Sequence, residues 1–146
     1  MAKDAFDLKK YFFPVVNIRA NTNYKPDEEK NILFDIESAV VKLKERDNFF
    51  QLILDITIND EDSKNYPYMG QVQAVGFFDI DSSLSKKEAH KVLRYRGIEI
   101  LYAAIREIIL MVTGRGPWGV IGLPTHHPDE IEMLEIDPNQ DSSAEE

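Results

Sequence analysis

The sequence predicts an α+β fold in which a four-stranded antiparallel sheet packs against a long helix in the C-terminal half. Two patterns predict this fold. Apolar and polar residues alternate with a period of two through the first half of the chain, and the apolar period changes to 3.6 after Ser85. At 146 residues the chain has the length of one domain. We therefore predict a single domain over residues 1–136, followed by an acidic, disordered tail over residues 137–146.

The strand predictions come from segments rich in β-branched and aromatic residues that end at turn signals. These segments are Phe12–Thr22, Asn31–Glu45, Phe49–Ile58 and Tyr66–Ile80. The third segment has the clearest alternation, because every second residue from Phe50 to Ile58 is apolar. Short connections between the segments predict an antiparallel meander or a near relative of one.

The helix prediction rests on a start signal, an apolar stripe and a stop signal. Ser85 and Glu88 have the spacing of a capping box, and Gly114 is a natural helix end. Gly97 interrupts the stripe at a cost of about 1 kcal/mol relative to alanine, so we expect two helical pieces or a kink. A further short helix is expected over Asp129–Leu134.

Charge and composition exclude several classes of protein. A net charge of −9 argues against nucleic-acid binding, which needs a positive surface. The chain has no cysteine, which excludes disulfide scaffolds, thiol catalysis and cysteine-rich zinc sites. Met1–Lys10 lacks the apolar core of a signal peptide, and the apolar stretch Ile98–Val112 is too short to cross a bilayer. We expect a cytoplasmic protein that does not insert into membranes.

No motif in the sequence predicts catalysis or a cofactor. The pair His126-His127 is the only cluster that suggests a metal site, but adjacent histidines point apart in most conformations. The segment Gly114-Arg115-Gly116 lacks the Lys-Ser/Thr end of a phosphate-binding loop. We therefore predict no catalytic residue, no metal and no cofactor.

Two apolar features need an explanation beyond a small monomer. The helix is apolar nearly all round between Ile105 and Val112, which predicts a subunit interface. The expected interface residues are Leu101, Ile105, Ile108, Ile109 and Val112. The second feature is a glycine-rich loop that carries Trp118, Val120, Ile121 and Leu123. This loop is either a lid folded over the core or an adaptable apolar binding surface.

Three segments resemble the SecB family of export chaperones. Gly70–Ile80 is similar to the family's fourth strand, Ile100–Glu107 to its helix motif, and Arg115–Pro124 to its loop of Arg-Gly, aromatic, Pro and alternating apolar residues. The resemblance implies a dimer or tetramer that binds unfolded preproteins in apolar grooves without nucleotide. It also implies which residues line the grooves: Trp118, Val120, Ile121 and Leu123 from this loop, and Tyr24 from the loop that follows the first strand.

The sequence departs from the family at several positions. Gln71 stands where the family has an acidic residue that docks the SecA motor, and Asn21 and Asn23 stand where its first strand carries acids. The Pro-Tyr of the helix motif is replaced by Ala103-Ala104. The family implies SecA as a partner, but its acidic docking residues do not carry over to this chain.

The leading hypothesis is an ATP-independent holdase for unfolded chains, assembled as a homodimer or homotetramer. An adaptor that binds one regulatory partner through the same surface is the second hypothesis. A ligand-binding or enzymatic domain is the third, and it has the least support because no convergent set of polar residues is visible.

Overall fold

The computed structural model describes residues 6–45, 47–59, 64–124 and 131–136. Within these segments the chain is an α+β fold with a sheet and one long, interrupted helix. The strands are β1 (Phe6–Ala20), β2 (Phe34–Lys42), β3 (Phe49–Ile58), β4 (Tyr68–Ile80) and β5 (Met133–Ile136). The helices are α1 (Lys86–Val92) and α2 (Ile98–Thr113), joined by a π-helical turn over Leu93–Gly97.

The five strands form one mixed sheet in the order β1-β4-β3-β2-β5. The predicted meander holds for β2, β3 and β4, which pair antiparallel in sequence order. All four predicted strands pair antiparallel, but the sheet is a near relative of a meander: β1 pairs with β4, so residues 21–33 carry the chain across the sheet as a crossing loop. The structure differs from the prediction in the number of strands. A fifth strand, β5, adds to the outer edge of β2 in parallel orientation.

The core lies between one face of the sheet and the helices. The alternation predicted for β3 is confirmed, because its five apolar side chains on this face, from Phe50 to Ile58, are almost wholly inaccessible to solvent. Burial of one such side chain contributes about 1.5–3 kcal/mol. The intervening β3 residues lie on the opposite face of the sheet and are half-buried. This opposite face is referred to below as the open face.

The predicted helix start is confirmed. The Glu88 amide donates to Ser85 Oγ at 3.2 Å, and the Ser85 amide donates to the Glu88 carboxylate at 3.3 Å. The interruption expected at Gly97 is a π-helical turn within a continuous helical segment. A Cβ atom at Gly97 would lie 2.9 Å from Leu52 Cδ2, so glycine lets the helix approach the sheet closely.

Part of the C-terminal prediction is wrong, and another part concerns residues outside the described segments. Met133 and Leu134, assigned from the sequence to a short helix, are part of β5. Ile131 and Glu132 are not helical either, whereas Asp129 and Glu130, the pair His126-His127 and the predicted tail at 137–146 lie outside the described residues. In the described segments, no helix has the length and apolar character needed to cross a membrane.

Candidate binding surface

Residues 114–124 follow α2 and form the Trp118 loop. The backbone of this loop is anchored by the hydroxyl of Tyr68, a residue that is only 2% exposed. That hydroxyl accepts a hydrogen bond from the Trp118 amide at 3.1 Å and donates to the Gly119 carbonyl at 2.8 Å. It also lies 3.2 Å from the Thr113 carbonyl. One buried side chain of β4 thus fixes the first half of the loop.

Two side chains of α2 anchor the second half of the loop. The buried Thr113 Oγ1 accepts a hydrogen bond from the Ile121 amide at 3.0 Å and donates to the Ile109 carbonyl at 2.6 Å. The Tyr102 hydroxyl donates to the Pro124 carbonyl. The loop is therefore held on the helix by buried polar contacts, which stabilise it against the core.

The side chains of the Trp118 loop alternate between the core and solvent. Val120 is 56% exposed, whereas Ile121 and Leu123 are buried and belong to the apolar core. The family resemblance implies that all three line a client groove, whereas the alternative of a lid places the loop over the core. Val120 is exposed as a groove residue would be, but Ile121 and Leu123 are buried with the core side chains, as a lid would place them.

Trp118 links the loop to the crossing loop. Its side chain is half-buried, and its indole N–H donates to the Asn21 carbonyl at 3.0 Å. The ring centroid of Trp118 lies 5.1 Å from that of Tyr24, which is also half-buried. Tyr24, Trp118 and Val120 are the predicted binding residues that keep accessible surface, and together they are referred to as the apolar rim.

The amides at the family's acidic positions are engaged within the chain. Asn21 Nδ2 donates to the Tyr66 carbonyl at 2.8 Å, and the backbone N–H of Asn23 donates to Asn21 Oδ1 at 3.0 Å. On the open face, Gln71 Nε2 donates to Asp55 Oδ1 at 2.7 Å. These contacts give Asn21 and Gln71 structural roles in this chain.

The residues predicted for a subunit interface divide into two groups. Leu101, Ile105 and Ile109 are fully buried against the sheet, so the structure places them in the core of the chain. Ile108 and Val112 are half-buried.

The outward side of α2 also carries an apolar residue that the sequence interpretation missed. Met111 is 59% exposed and follows Ile108 by three positions, the spacing of one helix face. Ala104, Ile108 and Met111 form what is referred to below as the outer α2 stripe. The helical spacing of these three residues was visible in the sequence, but the pattern did not show which face of α2 meets the sheet.

A row of aromatic rings crosses the open face of the sheet and was also missed. The ring centroids of Phe12 and Phe77 lie 6.1 Å apart, and those of Phe77 and Phe49 lie 6.3 Å apart. Lys10 Nζ lies 5.5 Å from the Phe12 centroid. Phe49 and Phe77 lie on the consecutive strands β3 and β4, whereas Phe12 lies on β1, so the row depends on the pairing of β1 with β4.

No group of three or more His, Cys, Asp or Glu side chains in the described segments has the arrangement of a metal site. Neither a family model nor the sequence of a curated protein matches this chain.

Among solved structures, the chain is similar to the Mycobacterium tuberculosis SecB-like chaperone Rv1957, in complex with a ChAD peptide from the Rv1956 HigA1 antitoxin. The TM-score is 0.61 at 16% identity, over 84% of this chain and 91% of the other. The fold is SecB-like.

A protein of unknown function from Streptococcus agalactiae is also similar, with a TM-score of 0.44 and 11% identity over 85% of this chain and 100% of the other. At 16% identity, the likeness to the M. tuberculosis protein shows the fold alone. Within that fold, the apolar rim lies where the crossing loop meets the loop that leaves the long helix.

Proposed function

We propose that this chain is an ATP-independent holdase chaperone that binds unfolded polypeptides at the apolar rim. The observation that carries the proposal is the construction of the Trp118 loop. Buried hydrogen bonds fix its backbone, while Trp118 and Val120 keep apolar surface in contact with water. Exposed apolar side chains on an anchored loop bind other apolar chains through non-directional burial, which suits a low-specificity client site.

Two further features support this proposal. The similar structure with the SecB-like fold is that of a chaperone with a bound peptide. The net charge of −9 provides repulsion between particles, which keeps a protein with exposed apolar surface from associating with itself. In this proposal Ile121 and Leu123 do not contact the client; their buried side chains anchor the Trp118 loop on the core.

The proposal includes a cytoplasmic homodimer or homotetramer, in which several rims act on one client. The outer α2 stripe supports assembly, because an apolar helix face in contact with water is stabilised by a second subunit. Docking of SecA is left out of the proposal, since Gln71, Asn21 and Asn23 replace the family's acids.

A dedicated adaptor for one regulatory partner is the second candidate. The complex between the M. tuberculosis SecB-like chaperone and an antitoxin peptide favours it. Affinity capture from cell extract separates the two candidates. A spread of unfolded chains supports the holdase, and one partner in a fixed ratio supports the adaptor.

The first prediction tests the holdase directly. The purified protein is expected to suppress light scattering from a reduced, unfolding client at stoichiometric amounts without ATP. Val120→Asp is expected to weaken client binding about tenfold, because it removes about 1.5 kcal/mol of apolar contact and introduces a charge to be desolvated. The melting temperature should hardly change, since Val120 is exposed.

Asn23→Asp is the matched control for that variant. It adds the same charge beside Tyr24 without removing apolar surface, so client suppression should persist. Equal losses in the two variants would mean that charge repulsion, and not the apolar rim, controls binding. Full aggregation of the client in a several-fold excess of the wild-type protein would refute the holdase proposal.

A further inference from the structure

The outer edge of β2 is covered by a short segment of the same chain. β5 has four residues and pairs with β2 in parallel orientation. The facing pairs are Ser38 with Met133, Ala39 with Leu134, Val40 with Glu135, and Val41 with Ile136. A parallel ladder is slightly less stable per residue than an antiparallel one, and four residues make a short ladder. The backbone groups of β2 on this edge are therefore only weakly protected.

The side chains of this segment alternate in chemistry as well as in direction. Ile131 is buried in the core, and Met133 packs against the core while remaining half-exposed. Glu135 follows two positions later on the side of the helices, where it contacts α1. Leu134 points to the open face and is 57% exposed. The edge thus holds two alternate apolar side chains followed by a carboxylate.

The position of the carboxylate is set by basic side chains of α1. Glu135 Oε1 lies 2.7 Å from His90 Nδ1, and Glu135 Oε2 lies 3.8 Å from Lys86 Nζ. The His90 ring also packs edge-on against Phe50, with centroids 5.4 Å apart. Burial lowers the pKa of His90, although Glu135 opposes this shift and Lys86 and Lys42 add to it. His90 therefore acts near neutral pH chiefly as an N–H donor to a carboxylate.

The backbone contact at this edge does not depend on sequence. Ser38 Oγ, which is buried, donates to the Glu132 carbonyl at 2.5 Å. Every residue has such a carbonyl, so any extended segment in the same register would satisfy this donor. Main-chain bonds of this kind supply affinity in strand addition, while pockets for alternate side chains supply specificity.

We infer that the outer edge of β2 is a strand-addition site that β5 occupies in the resting chain. In place of β5 it accepts an extended segment of an unfolded protein with two apolar side chains at alternate positions and then a carboxylate. This inference rests on the proposed chaperone function and adds a second client contact with its own sequence preference. β5 is tethered to the same chain and competes for the β2 edge at an effective concentration on the order of mM. A free segment therefore binds in proportion to the fraction of molecules in which β5 has left this edge.

A reversible lock on β5 tests the inference in the full-length chain. Ala39→Cys combined with Leu134→Cys places two thiols on facing residues of β2 and β5, toward the open face. Neighbouring strands are about 4.8 Å apart, which is within the range for a disulfide, and the chain has no other cysteine. The probe is a fluorescein-labelled peptide with the sequence Ile-Glu-Met-Leu-Glu-Ile of residues 131–136. Oxidation is expected to abolish peptide binding, and reduction of the same sample is expected to restore it.

Two comparisons sharpen the result. Glu135→Gln in the chain weakens the contacts of β5 with His90 and Lys86 but leaves both groups available to the peptide, so β5 should open more often and peptide affinity should rise about two- to fivefold. A peptide with lysine in place of its second glutamate should bind at least about tenfold more weakly than the parent peptide. Equal affinity of the oxidised and reduced lock would overturn the strand-addition site, and equal affinity of the two peptides would overturn the carboxylate preference.

The lock also separates this inference from the proposed function. Client suppression through the apolar rim should survive oxidation, because the Trp118 loop and β5 are anchored by different residues. A wild-type protein that binds the peptide but suppresses no aggregation would refute the holdase and leave the strand-addition site standing.

Discussion

The hydroxyl of Tyr68 shows how one buried atom organises a candidate binding loop. It has partners in the Trp118 amide and the Gly119 carbonyl, both of which belong to backbone that leaves the helix. A Cβ atom at Gly116 would lie 2.5 Å from this hydroxyl, so glycine lets the loop pass close to Tyr68. The exposed apolar surface of Trp118 and Val120 therefore depends on a polar contact that lies beneath it.

Tyr68→Phe tests this dependence at the scale of one atom. The variant leaves the Trp118 amide and the Gly119 carbonyl without their partner, so the free energy of unfolding should fall by about 1–3 kcal/mol. Urea denaturation measures that loss. Trp118 is the only tryptophan in the chain, and its fluorescence emission should shift to longer wavelength as the loop loosens.

Tyr11→Phe is the control for this substitution, because Tyr11 is 49% exposed and lies on β1. It should change neither stability nor emission. An unchanged denaturation midpoint and emission maximum in Tyr68→Phe would show that the loop is held by other contacts.

At the scale of elements, the sequence predicts β3 well and β5 not at all. The bounds of β3 match because its alternation of apolar and polar residues runs unbroken between turn residues. β5 has only four residues, and the Pro-Asp-Glu run before it is typical of a helix start. Its strand conformation depends on the β2 edge that it covers, and that edge is distant in sequence. Local sequence also does not reveal the partner of β1, because the crossing loop and two further strands separate β1 from β4 in the chain.

The contact between helix and sheet at Gly97 gives an element-scale prediction. On helix propensity alone, Gly97→Ala should stabilise the protein by about 1 kcal/mol. The new Cβ would lie 2.9 Å from Leu52 Cδ2 in a fully buried region, and overpacking of this kind costs about 1–3 kcal/mol. We therefore expect a net loss of about 0–2 kcal/mol, measured by urea denaturation.

Ala103→Gly supplies the matched comparison, because Ala103 is an exposed residue of the same helical segment. It should cost about 1 kcal/mol from propensity alone. If Gly97→Ala instead gained about the same amount, close packing at this glycine would not limit the distance between α2 and the sheet.

At the scale of the whole molecule, the question is which apolar surface joins subunits. The sequence shows that the helix is apolar nearly all round, but periodicity does not say which side the sheet covers. The structure assigns Leu101, Ile105 and Ile109 to the core and leaves Ile108 and Met111 toward solvent. The part of the interface prediction that concerns Ile108 and Val112 stays a prediction, and Met111 joins it because of its exposure.

Multi-angle light scattering on the purified protein tests assembly through this surface. The wild-type mass is expected to be two or four times the 16.8 kDa of one chain. Met111→Asp puts a charge in the outer α2 stripe, and a charge buried at an interface without a partner is strongly unfavourable. The mass should therefore fall by half at equal protein concentration. Each subunit of the smaller particle should keep its fold, because Met111 is 59% exposed and contributes little to the core.

Val120→Asp provides the comparison for this assembly test, since it places the same charge on an equally exposed side chain outside α2. It should leave the mass unchanged while weakening client binding. Met111→Asp should lower the mass and leave the client affinity of each single rim unchanged. The smaller particle has fewer rims, however, and so binds long clients less tightly. A wild-type mass of one chain would leave the apolar rim to act on a lone subunit. An oligomeric wild type whose mass is unchanged in Met111→Asp would exclude the outer α2 stripe as the interface.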